Sequence, residues 1–122
     1  GSKWITIDAE IHDQAVALIS HLPVLISAAL LRTVATEQDQ SVINLAKALA
    51  SSGFADTTRI GGGNPQLGSS MMANNTSAIL SFLNSYQKSL KNFEEVIIAK
   101  DWVLLKEELE KTKTYRPDFL NS

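Results

Sequence analysis

A chain of 122 residues has room for one domain with one core and not for two. Its 44% apolar and 20% charged residues are ordinary for a soluble globular protein. A net charge of −2, with lysines scattered among glutamates, supplies no field to hold nucleic acid. The absence of cysteine excludes disulfides and thiolate chemistry and suits a reducing cytosol. The opening Gly1-Ser2 reads as a cloning remnant and is set aside.

Nearly every long segment carries helical spacing and none alternates at period two, which predicts an all-α fold. The first helix is expected to start at Asp8, whose carboxylate can cap free N–H groups, and to run to about Ala35. Roughly 27 helical residues span about 40 Å, as long as a whole domain of this size, which is about 35 Å across. From Ala15 to Leu31 this helix reads AVALISHLPVLISAALL, with only Ser20, His21 and Ser27 polar. Pro23 has no N–H for the carbonyl of Ile19, so a kink is predicted there.

Three readings of the apolar run compete. A membrane span needs about 20 residues, but His21 and Pro23 interrupt this run and no basic flank precedes it. An ordinary core helix is the second reading. The third, a helix covered partly by a second subunit, fits best, because a helix apolar on every face must be covered on every face. The remaining residues can hardly do that alone.

A second helix is predicted from about Ser41 to Ser52, with Val42, Leu45, Ala46 and Leu49 on one stripe and Gly53 as its stop. A glycine-rich loop follows. Asn64-Pro65 then reads as an N-cap and first helical residue. The helix starting there either continues or breaks near Asn74-Asn75 before the amphipathic stretch TSAILSFLNSYQKSLKNFEEVIIAK. In that stretch Ile79, Phe82, Leu83, Tyr86, Leu90, Phe93 and Ile97 recur at helical spacing. Asp101 is expected to cap a last helix carrying Trp102, Leu105 and Leu109, with Glu107 paired to Lys111, and TYRPDFLNS reads as a tail.

His12 and His21 are the only histidines. Nine positions on one helix turn through about 900°, which puts them on opposite faces, so no metal site is expected. His12 beside Asp13 reads as a first-turn cap or surface pair. His21, beside Ser20 and ahead of Pro23, is either a histidine satisfied by local backbone or part of a place where a polar ligand meets the core.

The strongest chemical signal is SSGFADTTRIGGGNPQLG, residues 51–68. It fits neither phosphate-loop pattern. Arg59 offers a planar fork suited to a carboxylate, and bare glycine backbone lets a small anion approach. The helix starting at Pro65 adds a favourable dipole. The alternative is that Arg59 pairs with Asp56 on a surface loop.

Taken together, HDQAVALISHLP and, one helix and loop later, SSGFADTTRIGGGNPQLGSSMMANN resemble the C-terminal helical domain of the prephenate/arogenate dehydrogenase family. The glycine-rich form of the second motif looks most like the arogenate dehydrogenases of cyanobacterial type. The resemblance runs from Trp4 to the last helix. It implies an interlocked helical dimerisation and substrate-binding domain over residues 3–122, built on a long kinked central helix and several amphipathic ones. It further implies a homodimer and an oxidative decarboxylation in tyrosine biosynthesis, in the cytoplasm, with NADP or NAD as cofactor. The cofactor and the catalytic histidine would lie on an N-terminal Rossmann domain that this chain lacks, so no catalytic residue is assigned within it and the chain alone is expected to be inactive.

Carried over position by position, the arginine of F-x-D-x-T-R falls on Arg59 and would bind a substrate carboxylate. Ser20 and His21 fall on the Ser-His pair of S-H-L-P and would line the site. Asp56 falls on an acidic position able to join an inter-domain ion pair. Many prephenate-using members read S-H-L-P-H and carry a bulky aromatic after the arginine loop. Here Val24 and Gly68 stand in those places, so arogenate is the better expectation, with prephenate second. No nucleic acid and no membrane are expected as partners. A reading from another class remains, a non-enzymatic helical interaction module whose apolar first helix binds a partner protein.

Overall fold

A computed structural model describes residues 8–120 of the chain. Gly1-Ser2, read above as a remnant, Trp4 and the two final tail residues lie outside the described residues. All regular structure among the described residues is helical.

Asp8 opens the first helix as expected, its Oδ1 accepting the N–H of Glu10 at 2.8 Å. Helix α1 (Ala9–Val16) passes directly into a wide π-turn (Ala17–His21) and then into α2 (Leu22–Ala35). The disturbance expected from Pro23 takes the form of that π-turn. The N–H of Leu22 donates to the carbonyl of Ala17, five residues back, instead of to Leu18. A proline ring crowds the carbonyl four residues before it, and widening the preceding turn is one way to accommodate it without ending the helix.

Helix α3 (Gln40–Leu49) is capped by Asp39, whose Oδ1 accepts from Ser41 at 2.9 Å and Val42 at 3.4 Å. Its end differs from the expected one. Ala50 and Ser51 leave helical geometry, and α4 (Ser52–Thr58) begins at once, so Gly53 sits inside a helix and stops nothing. A short 3-10 turn (Arg59–Gly62) leads to α5 (Pro65–Ala73), and α6 (Thr76–Ile98) follows after a true break at Asn74-Asn75. The break is useful, because Asn75 Nδ2 donates to the carbonyl of Asp13 at 2.8 Å and ties this corner to α1.

α6 ends at a left-handed residue, Lys100, with φ 54°. The N–H of Asp101 donates to Val96 O at 3.1 Å and that of Lys100 to Ile97 O at 3.0 Å, the paired closure of a Schellman end. Asp101 then caps α7 (Trp102–Phe119) by accepting from Leu104 N–H at 3.0 Å. The expected tail is therefore largely helical, with Pro117 held in the last turn. On the wet side Lys111 pairs with Glu108 at 3.2 Å and not with Glu107, since three positions apart is as close on a helix as four. The carboxylate hydrogen-bonded to it raises the Lys111 pKa, and Glu94 does the same for Lys91.

The chain forms two compact units that meet within α6, one up to Leu83 and one from Asn84 onward. In the first, α4 and the 3-10 turn pack on α2, and α5 lies against the π-turn. Its buried residues are Ala17, Leu22 and Ile79 with the polar His21, Ser27 and Thr58. In the second unit no described residue is buried, and Leu90, Ile97, Ile98, Trp102, Val103 and Leu109 stand exposed, Val103 by 72%. The segment Ala9–Ala35 is long and apolar enough to cross a membrane by length and composition, and only 22% of its most apolar window is buried. Burying a large apolar side chain is worth about 1.5–3 kcal/mol, so surfaces of this kind call for cover.

Candidate functional site

The site is built on the passage from α4 through the 3-10 turn to α5, pressed against α2. Thr57 and Thr58 do not face a ligand with their hydroxyls. Thr57 Oγ1 donates to Gly53 O at 2.8 Å and Thr58 Oγ1 to Phe54 O at 2.7 Å, each folded back along α4. Arg59, the next residue, opens the 3-10 turn and is exposed. Among the described residues it makes no ion pair, and in particular none with Asp56, which is exposed on α4. The alternative of an Arg59–Asp56 pair is therefore not realised.

The glycines behave differently from the cradle that the sequence suggested. The N–H of Gly61 is already used, donating to Ser27 Oγ of α2 at 2.8 Å. A side chain at Gly61 would put its Cβ within 2.5 Å of Ser27 C and Oγ and against the backbone nitrogen of Ala28. Gly61 is thus a close-approach glycine, needed for backbone to press on backbone. Gly62, by contrast, has open space around it.

The N-terminus of α5 is also occupied. Asn64 Oδ1 accepts from Gln66 at 3.0 Å and Leu67 at 3.3 Å, and Gly68 N–H donates to Asn64 O at 3.1 Å. Asn64 and Pro65 act as the cap and first residue that the sequence predicted. The same cap uses N–H groups that an anion would otherwise take, which leaves the guanidinium of Arg59 as the available recognition group.

Between α2, the glycine turn and α5 lies a largely apolar cleft of 280 Å³. Val24, Leu25 and Ala28 form one wall, Ile60, Gly61 and Gly63 another, and Pro65, Gly68 and Met72 a third. Val24 and Gly68, 44 positions apart in the chain, face this one space. Ser20, His21 and Arg59 do not line it. Ser20 is exposed on the π-turn, and His21 is buried, 7% exposed, with Nδ1 lacking any hydrogen-bond partner among the described residues. The local-backbone reading of His21 therefore leaves that nitrogen unaccounted for, and a buried unpaired nitrogen is costly unless something else reaches it. His12 Nδ1 lies 3.6 Å from Asp13 Oδ1 at the surface.

Sequence reasoning passed over Ser27. The signal was present: a single hydroxyl inside an apolar helical run needs a partner once buried. What the sequence could not show was that the partner lies 34 positions away.

Residues 8–111 match the family model described as prephenate dehydrogenase, dimerization domain. The chain is similar to the crystal structure of Synechocystis arogenate dehydrogenase, 43% identical with TM-score 0.94, over 98% of this chain and 43% of that one. It is also similar to prephenate dehydrogenase from A. aeolicus, solved in complex with hydroxyphenyl propionate and NAD+, 26% identical with TM-score 0.82, over 93% of this chain and 39% of that one. Cyclohexadienyl dehydrogenase of Zymomonas mobilis is 30% identical over 116 residues, which are 95% of this chain and 39% of that protein. The chain thus spans about two fifths of the length of these relatives.

Proposed function

Since the chain belongs to the prephenate dehydrogenase dimerization-domain family, we propose that it is the dimerisation and substrate-binding part of an NAD- or NADP-dependent arogenate dehydrogenase. Prephenate is the second candidate substrate. The reaction is an oxidative decarboxylation on the way to tyrosine, in the cytoplasm: hydride leaves the cyclohexadienyl ring, the ring carboxylate departs as carbon dioxide, and its bonding pair completes the aromatic ring.

The observation that carries this reading is Arg59, exposed and without an ion pair among the described residues, at the head of a turn fixed to α2. An unpaired guanidinium beside an apolar cleft suits a small molecule with a carboxylate and a ring. The bound hydroxyphenyl propionate of the A. aeolicus relative is such a molecule. Ser20 and His21, which lie outside the cleft itself, are proposed to contact the same substrate, with the free Nδ1 of His21 as a hydrogen-bonding group for it. The preference for arogenate rests on Val24 and Gly68, which place neither an imidazole nor an aromatic ring on the cleft.

The residues present do not fit a dinucleotide. No strand leads into a glycine fingerprint among the described residues, and the amide of Gly61 is already paired. The cofactor and the catalytic histidine are therefore assigned to a Rossmann domain of the same enzyme, outside this chain. The test is turnover by the enzyme that contains this chain, with arogenate and prephenate offered in turn alongside NAD and NADP. Faster nicotinamide reduction with arogenate is expected. No turnover with either substrate would leave the non-enzymatic interaction module as the better reading.

The exposed apolar faces support a homodimer. Three large apolar positions at helical spacing on α3, Val42, Leu45 and Leu49, are more than half exposed, as are Ile98 and Trp102. A second copy covering such faces makes an obligate interface of the hydrophobic kind. Sedimentation equilibrium should show two chains per particle at micromolar concentration without detergent. A monomer that stays soluble there would refute the dimer.

A further inference from the structure

Ser27 is buried among the described residues, 1% exposed, and it lies in the middle of an apolar helix. A hydroxyl in that setting is costly unless it is bonded. Its Oγ accepts the N–H of Gly61 at 2.8 Å across 34 positions of sequence. The same contact is so close that the backbone of Ser27 and Ala28 leaves no room for a Cβ at Gly61. The 3-10 turn is thus held by a hydrogen bond and by backbone packing at one point.

Arg59 belongs to that turn and stands two residues before the held point. No ion pair among the described residues restrains its guanidinium. Arginine is long, with about 2 kcal/mol of rotamer entropy, and the aim of its fork is set first by where its backbone is placed. We infer that Ser27 is the positioning residue of Arg59: through its hydrogen bond to Gly61 it fixes the turn from which Arg59 reaches the substrate carboxylate. The inference rests on the proposed carboxylate-binding role of Arg59 and deepens it. Ser27 touches no substrate and acts only through the turn.

Ser27→Ala removes the acceptor and keeps the Cβ, leaving the part-buried Gly61 N–H without its partner. A loosened turn weakens ground and transition state alike, so KM rises while kcat stays. The experiment is a double-mutant cycle on the dehydrogenase containing this chain, with Ser27→Ala, Arg59→Ala and both together. Ser27→Ala is expected to raise KM about tenfold, as when one of two charge-assisted bonds is strained, with kcat within about twofold. In the Arg59→Ala background Ser27→Ala should change KM by less than about twofold, because the group it positions is gone. A purely structural role would instead give the same penalty in both backgrounds.

Raised KM in Arg59→Ala beside normal KM in Ser27→Ala, or full addition of the two effects, overturns the inference alone. Unaltered KM in Arg59→Ala overturns the carboxylate reading and this inference with it. Should Ser27→Ala fail to fold, Ser27→Cys carries the test. Its weaker acceptor is expected to lift KM about threefold, and an unaltered KM overturns the inference.

Discussion

Arg59→Ala should raise KM for the cyclohexadienyl substrate roughly 30- to 150-fold and leave kcat within about twofold, the equivalent of about 2–3 kcal/mol. The size follows from the chemistry of the pair. Arginine and carboxylate form two parallel charge-assisted hydrogen bonds, each stronger than a neutral one. In this chain no carboxylate among the described residues competes for the fork, since Asp56 and Arg59 make no ion pair. Backbone groups that would share the load are already used, Gly61 N–H by Ser27 and those of Gln66 and Leu67 by Asn64 at the start of α5. Arg59 therefore carries the recognition of that carboxylate without a substitute. Binding of a group remote from the reacting carbon is felt equally in ground and transition states, which is why KM moves and kcat does not. Arg59→Lys keeps the charge and loses the fork, so its KM should fall between the two. Steady-state kinetics on the three enzymes checks this, and a wild-type KM in Arg59→Ala would remove the carboxylate clamp from the proposed function.

What was legible in the sequence was local chemistry. Asp8, Asn64 and Asp101 cap helices as a short acidic or amide side chain should, because the partner N–H groups lie two or three residues ahead. The all-α class followed from the period of apolar residues. The demand for outside cover was legible as well, since α2 and its flank are apolar on all sides and little of that surface is buried.

The misreadings share a cause, a local rule overridden by something distant or by a second local option. Gly53 looked like a helix stop, but Ser51 adopts extended geometry first and Gly53 falls into the next helix. TYRPDFLNS read as a tail, yet α7 runs on to Phe119 and holds Pro117 in its last turn. Pro23 predicted a kink, and the disturbance took the form of a π-turn just ahead of it. For the site, Arg59 stood out because its residue type and neighbours announce it. Ser27 did not, because a long-range contact, and no spacing rule, gives it meaning.

Gly61→Ala is expected to be the most destabilising methyl added at any described glycine, at about 3 kcal/mol. Two effects add at one point. The new Cβ meets backbone atoms of Ser27 and Ala28, which cannot rotate away as a side-chain tip can. Overpacking of that kind costs about 1–3 kcal/mol. Pushing the turn off α2 also strands the Gly61 N–H and the Ser27 hydroxyl, for about 1–3 kcal/mol more. At fixed protein concentration this should lower Tm by roughly 10–15 °C. Gly62→Ala is the internal comparison, because a methyl added there meets nothing within 4 Å and no described glycine has a positive φ. It should be neutral or stabilising by up to about 1 kcal/mol, since alanine restricts the unfolded chain. Thermal unfolding of the two variants side by side decides the matter. Equal melting temperatures would mean that the turn can lift from α2 at little cost, and the glycine run would then owe nothing to the contact with Ser27.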